Sequence, residues 1–176
     1  MTSDQKNALS ILNISIQMEK DGQVFYTKAA RESGSEPGRR LFASLAEEEK
    51  CHQRRFEEIY RRLSQRKQWP EAAMEDDLPS QVRTIFRQAA LEYGDKIKET
   101  TSELGALTIA IEMESKSYDL YNKCGQEAIS EAEKVFYEAL AAEERQHQLV
   151  LTDYQEYLSD PTDWFTNAEH HSLDGG

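Results

Sequence analysis

One arrangement of residues occurs twice in this chain, and it restricts the possible folds more than any other feature. Glu19 stands 30 residues before the Glu of Glu49-x-x-His52, and Glu114 stands 30 residues before the Glu of Glu144-x-x-His147. The two copies are offset by 95 residues without a gap. Around them Leu12, Ile16, Met18, Tyr26 and Lys28 align with Leu107, Ile111, Met113, Tyr121 and Lys123. Leu45, Ala46, Glu48 and Gln53 align with Leu140, Ala141, Glu143 and Gln148. A repeat of this length, matched on apolar and acidic positions alike, is the mark of a duplicated helical hairpin.

Helical spacing places these residues on one face, because positions three and four apart lie above one another. The second segment reads Phe42, Leu45, Glu49, His52, Phe56, Ile59, Leu63, and the fourth Tyr137, Leu140, Glu144, His147, Leu151, Tyr154, Leu158. The first reads Leu9, Leu12, Ile16, Glu19, Gln23, Tyr26, and the third Leu104, Leu107, Ile111, Glu114, Tyr118, Tyr121. Each stripe is apolar at its ends and polar in the middle, so the charges point into the seam of a bundle. Burying an unpaired carboxylate costs several kcal/mol, and four at one level also repel one another. Two divalent cations would balance four glutamates, with two neutral imidazoles completing the shells. A Glu from each of two helices, plus Glu-x-x-His from each of the other two, is the general pattern of a dinuclear carboxylate site. A single Glu-x-x-His on a Glu-rich helix is ordinarily a solvated acid beside a surface histidine. Two copies on core stripes, each with its own lone core Glu, point instead to metal ligation by Glu19, Glu49, His52, Glu114, Glu144 and His147.

The rest of the composition narrows the functional classes. A length of 176 residues suffices for one well-buried domain, and few glycines and prolines suit long helices. The net charge of −12 disfavours nucleic acid and anionic membranes as partners. Cys51 and Cys124 form no C-x-x-C, which excludes a rubredoxin-type iron site or a zinc ribbon in this sequence. Cys51 falls off the walked stripe and reads as a small packing residue. The start lacks a charged-then-apolar order, and the uncharged run from Asn7 to Met18 is too short to span a bilayer. With no disulfide framework, the expected compartment is the cytoplasm.

The expected fold is all-α, a four-helix bundle over residues 1–158 followed by a C-terminal tail, 159–176. The first helix is expected from Ser3 to Arg31. The second opens at Ser35, Glu36 and Pro37, with Pro tolerated in the first turn, and runs to Lys67. Its outer face carries Arg54, Arg55, Arg61 and Arg62, expected to be solvated or paired with neighbouring acids. Residues 68–100 read as a crossover with a short extra helix near 79–93. Its length implies that helices two and three run the same way. Thr100 with Glu103, and Ser130 with Glu133, read as capping boxes of helices three and four. The third helix is expected to stop at Gly125 and the fourth at Leu158. Trp164 and Phe165 are expected to fold back onto the bundle, and His170 and His171 to be exposed.

Several of these segments resemble the rubrerythrin branch of the ferritin-like superfamily. The likeness lies in Ile16-Gln17-Met18-Glu19 with Tyr26, in Ala46-Glu47-Glu48-Glu49-x-x-His52, in Ile111-Glu112-Met113-Glu114 with Tyr121, and in Ala142-Glu143-Glu144-x-x-His147. It covers residues 5–158. The resemblance implies a ferritin-like bundle holding two iron ions, in which the two Glu-x-x-His glutamates both bridge the metals, or one bridges and one is terminal, and each histidine binds one iron. It also implies that Tyr26 and Tyr121 hydrogen-bond the ligands; the other reading makes them large core residues. Two departures stand out. Rubrerythrins carry a cysteine-rich rubredoxin domain, absent from this sequence. They often have a further Glu three residues after the third-helix ligand, where this chain has Ser117.

The function implied by the resemblance is a non-haem di-iron oxidoreductase reducing peroxide or O2 with an external electron donor such as a rubredoxin. It would act as a homo-oligomer, with a dimer favoured. Two alternatives remain at this point: a ferroxidase or iron-storage protein of ferritin type, and a metal-stabilised bundle without turnover. Manganese and zinc also tolerate these ligands.

Overall fold

In the computed structural model the described residues are 3–65, 69 and 101–166. Four long helices account for most of them: α1 (Ser3–Glu32), α2 (Glu36–Ser64), α3 (Thr101–Glu127) and α4 (Glu131–Ser159). At about 1.5 Å per residue each is roughly 40 Å long. A further short helix covers 161–166. No described helix is long and apolar enough to cross a membrane.

The helices pair as two hairpins, α1 against α2 and α3 against α4, with lighter packing of α1 on α3 and of α2 on α4. The apolar ends of the stripes gather into two clusters. One holds Tyr26 from the end of α1, Leu41 to Leu45 from the start of α2, Leu107 from the start of α3 and Val150 to Leu158 from the end of α4. The other holds Leu9 and Leu12, Phe56 to Leu63, Tyr121 and Cys124, and Phe136 to Ala141. Each helix therefore contributes opposite halves to the two clusters. That arrangement requires α2 and α3 to run in the same direction, both starting at the first cluster. The described end of α2 and the described start of α3 therefore lie at opposite clusters, which agrees with the direction expected from the length of the intervening sequence. The crossover helix expected at 79–93, and His170 and His171, lie outside the described residues. Trp69 packs against Phe136 and Tyr137.

The helix boundaries match expectation at the starts of α2 and α4 and differ at α3. α2 opens with Ser35 as N-cap, its hydroxyl accepting from the Gly38 N–H, and with Pro37 in the first turn. Ser130 caps α4 by accepting from the Glu133 N–H, while the Glu133 carboxylate reaches back to the Ile129 N–H. Glu103, by contrast, is no capping residue. Its buried carboxylate accepts from Ser33, Ser35 and Tyr154, tying the α1–α2 turn to α3 and α4. Gly125 does not end α3, which continues to Glu127. A Cβ there would stand 3.3 Å from the Glu138 side chain and 3.7 Å from α4 backbone, so glycine serves the close approach of α3 and α4. Trp164 does fold back: it is buried, its indole N–H donates to Asp153, and its ring meets Tyr157 edge-on.

Candidate metal centre

Between the two apolar clusters, each helix turns polar side chains inward. Glu19, Glu49, His52, Glu114, Glu144 and His147 are all buried, none more than 4% exposed. Their ligand atoms form two overlapping groups within mutual reach of one cation each. One is Glu19, Glu49, His52 and Glu144; the other is Glu49, Glu114, Glu144 and His147. Glu49 and Glu144 belong to both. The α2 and α4 glutamates thus sit between the two positions, and Glu19 and Glu114 flank them.

The imidazoles are oriented by glutamates from the opposite hairpin. His52 Nε2 is 2.6 Å from Glu143 Oε2, and His147 Nε2 is 2.8 Å from Glu48 Oε2. A carboxylate accepts from a ring N–H, so these bonds place the Nε2 proton outward and point Nδ1 inward. There Nδ1 of His52 lies 3.2 Å from Glu144 and 3.4 Å from Glu19. Nδ1 of His147 lies 3.5 Å from Glu114 and 3.7 Å from both Glu49 and Glu144. Neither Nδ1, nor Glu144 Oε1, makes a hydrogen bond although each is shut off from solvent. Buried polar atoms without partners are rare, and here they converge on the space between carboxylates. The two rings stack, centroids 5.7 Å apart.

The tyrosines add a second set of exchanges between hairpins. Tyr26 of α1 donates to Glu114 of α3, and Tyr121 of α3 donates to Glu19 of α1. Both phenols are buried, and burial followed by the adjacent Glu114 or Glu19 holds their pKa well above the usual value. They therefore stay O–H donors. Gly22 brings α1 close to the centre: a Cβ there would meet Glu49 Cγ at 3.4 Å.

The protonation pattern shows how the chain balances this charge when only protons are present. Burial first, then Glu19, Glu144 and Glu114, pushes the Glu49 carboxyl well above the carboxylate range. Glu114 is pushed up to about 8, by burial and by Glu144, against the pull of His147. Burial alone would lower both histidines, but the surrounding carboxylates raise them well above the ordinary value. Burial would raise Glu144, yet His147 and His52 hold it well below. Protons and cations would relieve the same repulsion. The donor set, hard carboxylates with two imidazoles, suits ferrous or manganous ions, with zinc tolerated.

Glu48 and Glu143 carried no role in the sequence reading. The available signal was their equivalence in the repeat, one position before each Glu-x-x-His glutamate. Arg55 takes the paired alternative: its side chain is only 11% exposed and pairs across the bundle with Glu143 at 2.9 Å. Arg61 does pair locally, with Glu58. Cys51 is buried and belongs to neither ligand group.

No match was found among curated proteins or among solved structures. The sequence model of the rubrerythrin family matches residues 10–155, a span that takes in all four helices and both halves of the carboxylate–histidine cluster, and the chain belongs to that family.

Proposed function

We propose that the cluster holds two iron ions and that the protein is a di-iron oxidoreductase, reducing peroxide or O2 with electrons from an external donor. The observation that carries this reading is the pair of buried Nδ1 atoms, neither of them hydrogen-bonded, facing four glutamates, two of which belong to both groups. In this assignment Glu19 and His52 would hold one ion and Glu114 and His147 the other, with Glu49 and Glu144 within reach of both. Two irons, when bound, supply two electrons together to an O–O bond, avoiding a one-electron product.

The chain's own residues prepare that chemistry. Glu143 and Glu48 fix the tautomer and direction of each imidazole. Tyr26 and Tyr121 hold one oxygen of each lone glutamate by hydrogen bonds. The other oxygens of Glu114 and Glu19 are the ones nearest His147 Nδ1 and His52 Nδ1. The apolar clusters on both sides exclude water, which strengthens every electrostatic interaction between them. We assign Tyr26 and Tyr121 to ligand positioning, with their phenolic protons within reach of the centre. A dimer is the assembly this reading expects.

Anaerobic reconstitution with ferrous iron, followed by rapid mixing with peroxide or O2, tests the proposal. The expected result is two irons per chain and rapid growth of an oxo-bridged ferric absorption band, faster with peroxide than with O2. Faster reaction with O2, together with a large shell holding mineral, would replace the reading by ferroxidation and storage. Binding without oxidation would leave a metal-stabilised bundle. Glu144→Ala and His52→Ala should each lose metal; full metal content in both variants sinks the ligand assignment.

A further inference from the structure

Among the positions beside the centre at which the repeat departs from itself, one changes the charge next to a histidine's partner. Arg55 lies three residues after His52, on the next turn of α2, and its equivalent 95 residues on is Val150. Arg55 donates through one nitrogen to both oxygens of Glu143, at 3.1 and 2.9 Å. Glu143 Oε2, the oxygen closer to Arg55, is also the one that receives the His52 Nε2 proton. On the other side Glu48 receives the His147 Nε2 proton, and no cationic side chain other than His147 pairs with Glu48 among the described residues. Val150 is 1% exposed and packed in an apolar cluster, so it supplies no charge there.

We infer that Arg55 makes the two halves of the centre unequal, and that the position served by His147 and Glu114 binds a divalent cation before the position served by His52 and Glu19. The inference rests on the two-metal reading above. A guanidinium draws electron density from the carboxylate it pairs with, which makes Glu143 a poorer acceptor. His52 then keeps more of its proton and presents a less electron-rich Nδ1 than His147. Outer-shell partners of a metal-bound histidine typically change metal affinity by 10–100-fold. The positive charge itself acts in the same direction, since Arg55 stands on the His52 side and repels a dication through a partly buried, poorly screened path. Arg55 is thus a positioning residue acting through Glu143.

Cobalt(II) titration of the full chain, followed by proton NMR of the imidazole N–H resonances, tests this with no turnover involved. The first equivalent should shift the His147 N–H, and the second the His52 N–H. In Arg55→Gln the second step should tighten by about tenfold, with the first unchanged; Arg55→Lys should restore the wild-type gap. Filling at His52 first, or at both histidines together, overturns the inference while leaving the two-metal reading intact. A chain that binds no cobalt overturns both. The filling order in the wild-type protein decides the matter even if a variant fails to fold.

Discussion

At the residue scale the centre is a balance between burial and charge, and that balance has a pH signature. Glu114 ordinarily titrates at 4.5 and is pushed up to about 8 in the fold. Between those values the native chain holds a proton that the unfolded chain has lost, so stability falls as pH rises through the window. His52 and His147 act with the same sign: their folded values lie above the ordinary 6.5, and what they contribute below that value is lost as pH rises. Glu144 is depressed, so its contribution is present above its ordinary 4.5 and constant across the window. The metal-free protein should therefore melt at a lower temperature at pH 8 than at pH 5. The metal-loaded protein should show no such fall, because cations replace the protons. Calorimetric melts of both forms across that range check the sign. Tyr26→Phe belongs to the same scale. It leaves a buried oxygen of Glu114 one donor short, a loss of about 1–3 kcal/mol. The variant should retain two metals while melting lower in both forms.

At the element scale, close approach of helices puts the candidate ligands within reach of one another. Gly22 lets α1 lie against the Glu49 side chain. An Ala there meets Glu49 Cγ at 3.4 Å, an ordinary contact, and Ala favours the helix by up to about 1 kcal/mol over Gly. Gly22→Ala should keep two metals per chain. Gly22→Leu has no room and should push Glu49 out of the seam, lowering metal content by at least one ion while leaving a helical circular dichroism spectrum. Equal metal content in the two variants would show that α1 does not position Glu49. Gly125 plays the corresponding part between α3 and α4, which is why it lies inside a helix that it was expected to end.

At the scale of the whole molecule, the polar centre lies between two apolar clusters that hold the four helices in register. Phe56 is fully buried and touches Tyr121 and Phe136 in one cluster. Both clusters bury large apolar side chains, so the fold is expected to hold without bound metal. Bound metal nevertheless adds stability by mass action, about 2.7 kcal/mol per site at a free concentration a hundred times the dissociation constant. Chelation should lower the melting temperature without unfolding the chain at 25 °C, and readdition of ferrous or manganous ion should restore it. Unfolding on chelation at 25 °C would show that the clusters are insufficient by themselves.

The sequence by itself determined the helices, their inward faces and the six ligand candidates, because helical periodicity and a 95-residue repeat are local properties that survive without coordinates. It also indicated the direction of α3 relative to α2, through the length of the connecting segment. Only the tertiary structure decided which hairpin supplies the hydrogen-bond partner of each candidate ligand. Tyr26 and Glu19 share a helix face, yet Tyr26 bonds Glu114 and Glu19 bonds Tyr121. His52 takes its orienting carboxylate from α4, and His147 takes its own from α2. The physical reason is that spacing along a helix specifies a face and a height but not the neighbour across the seam. That neighbour follows from how the two hairpins pack. The same packing takes Glu103 from a presumed cap into a buried network, and draws Arg55 from an outer face to the carboxylate that orients a histidine.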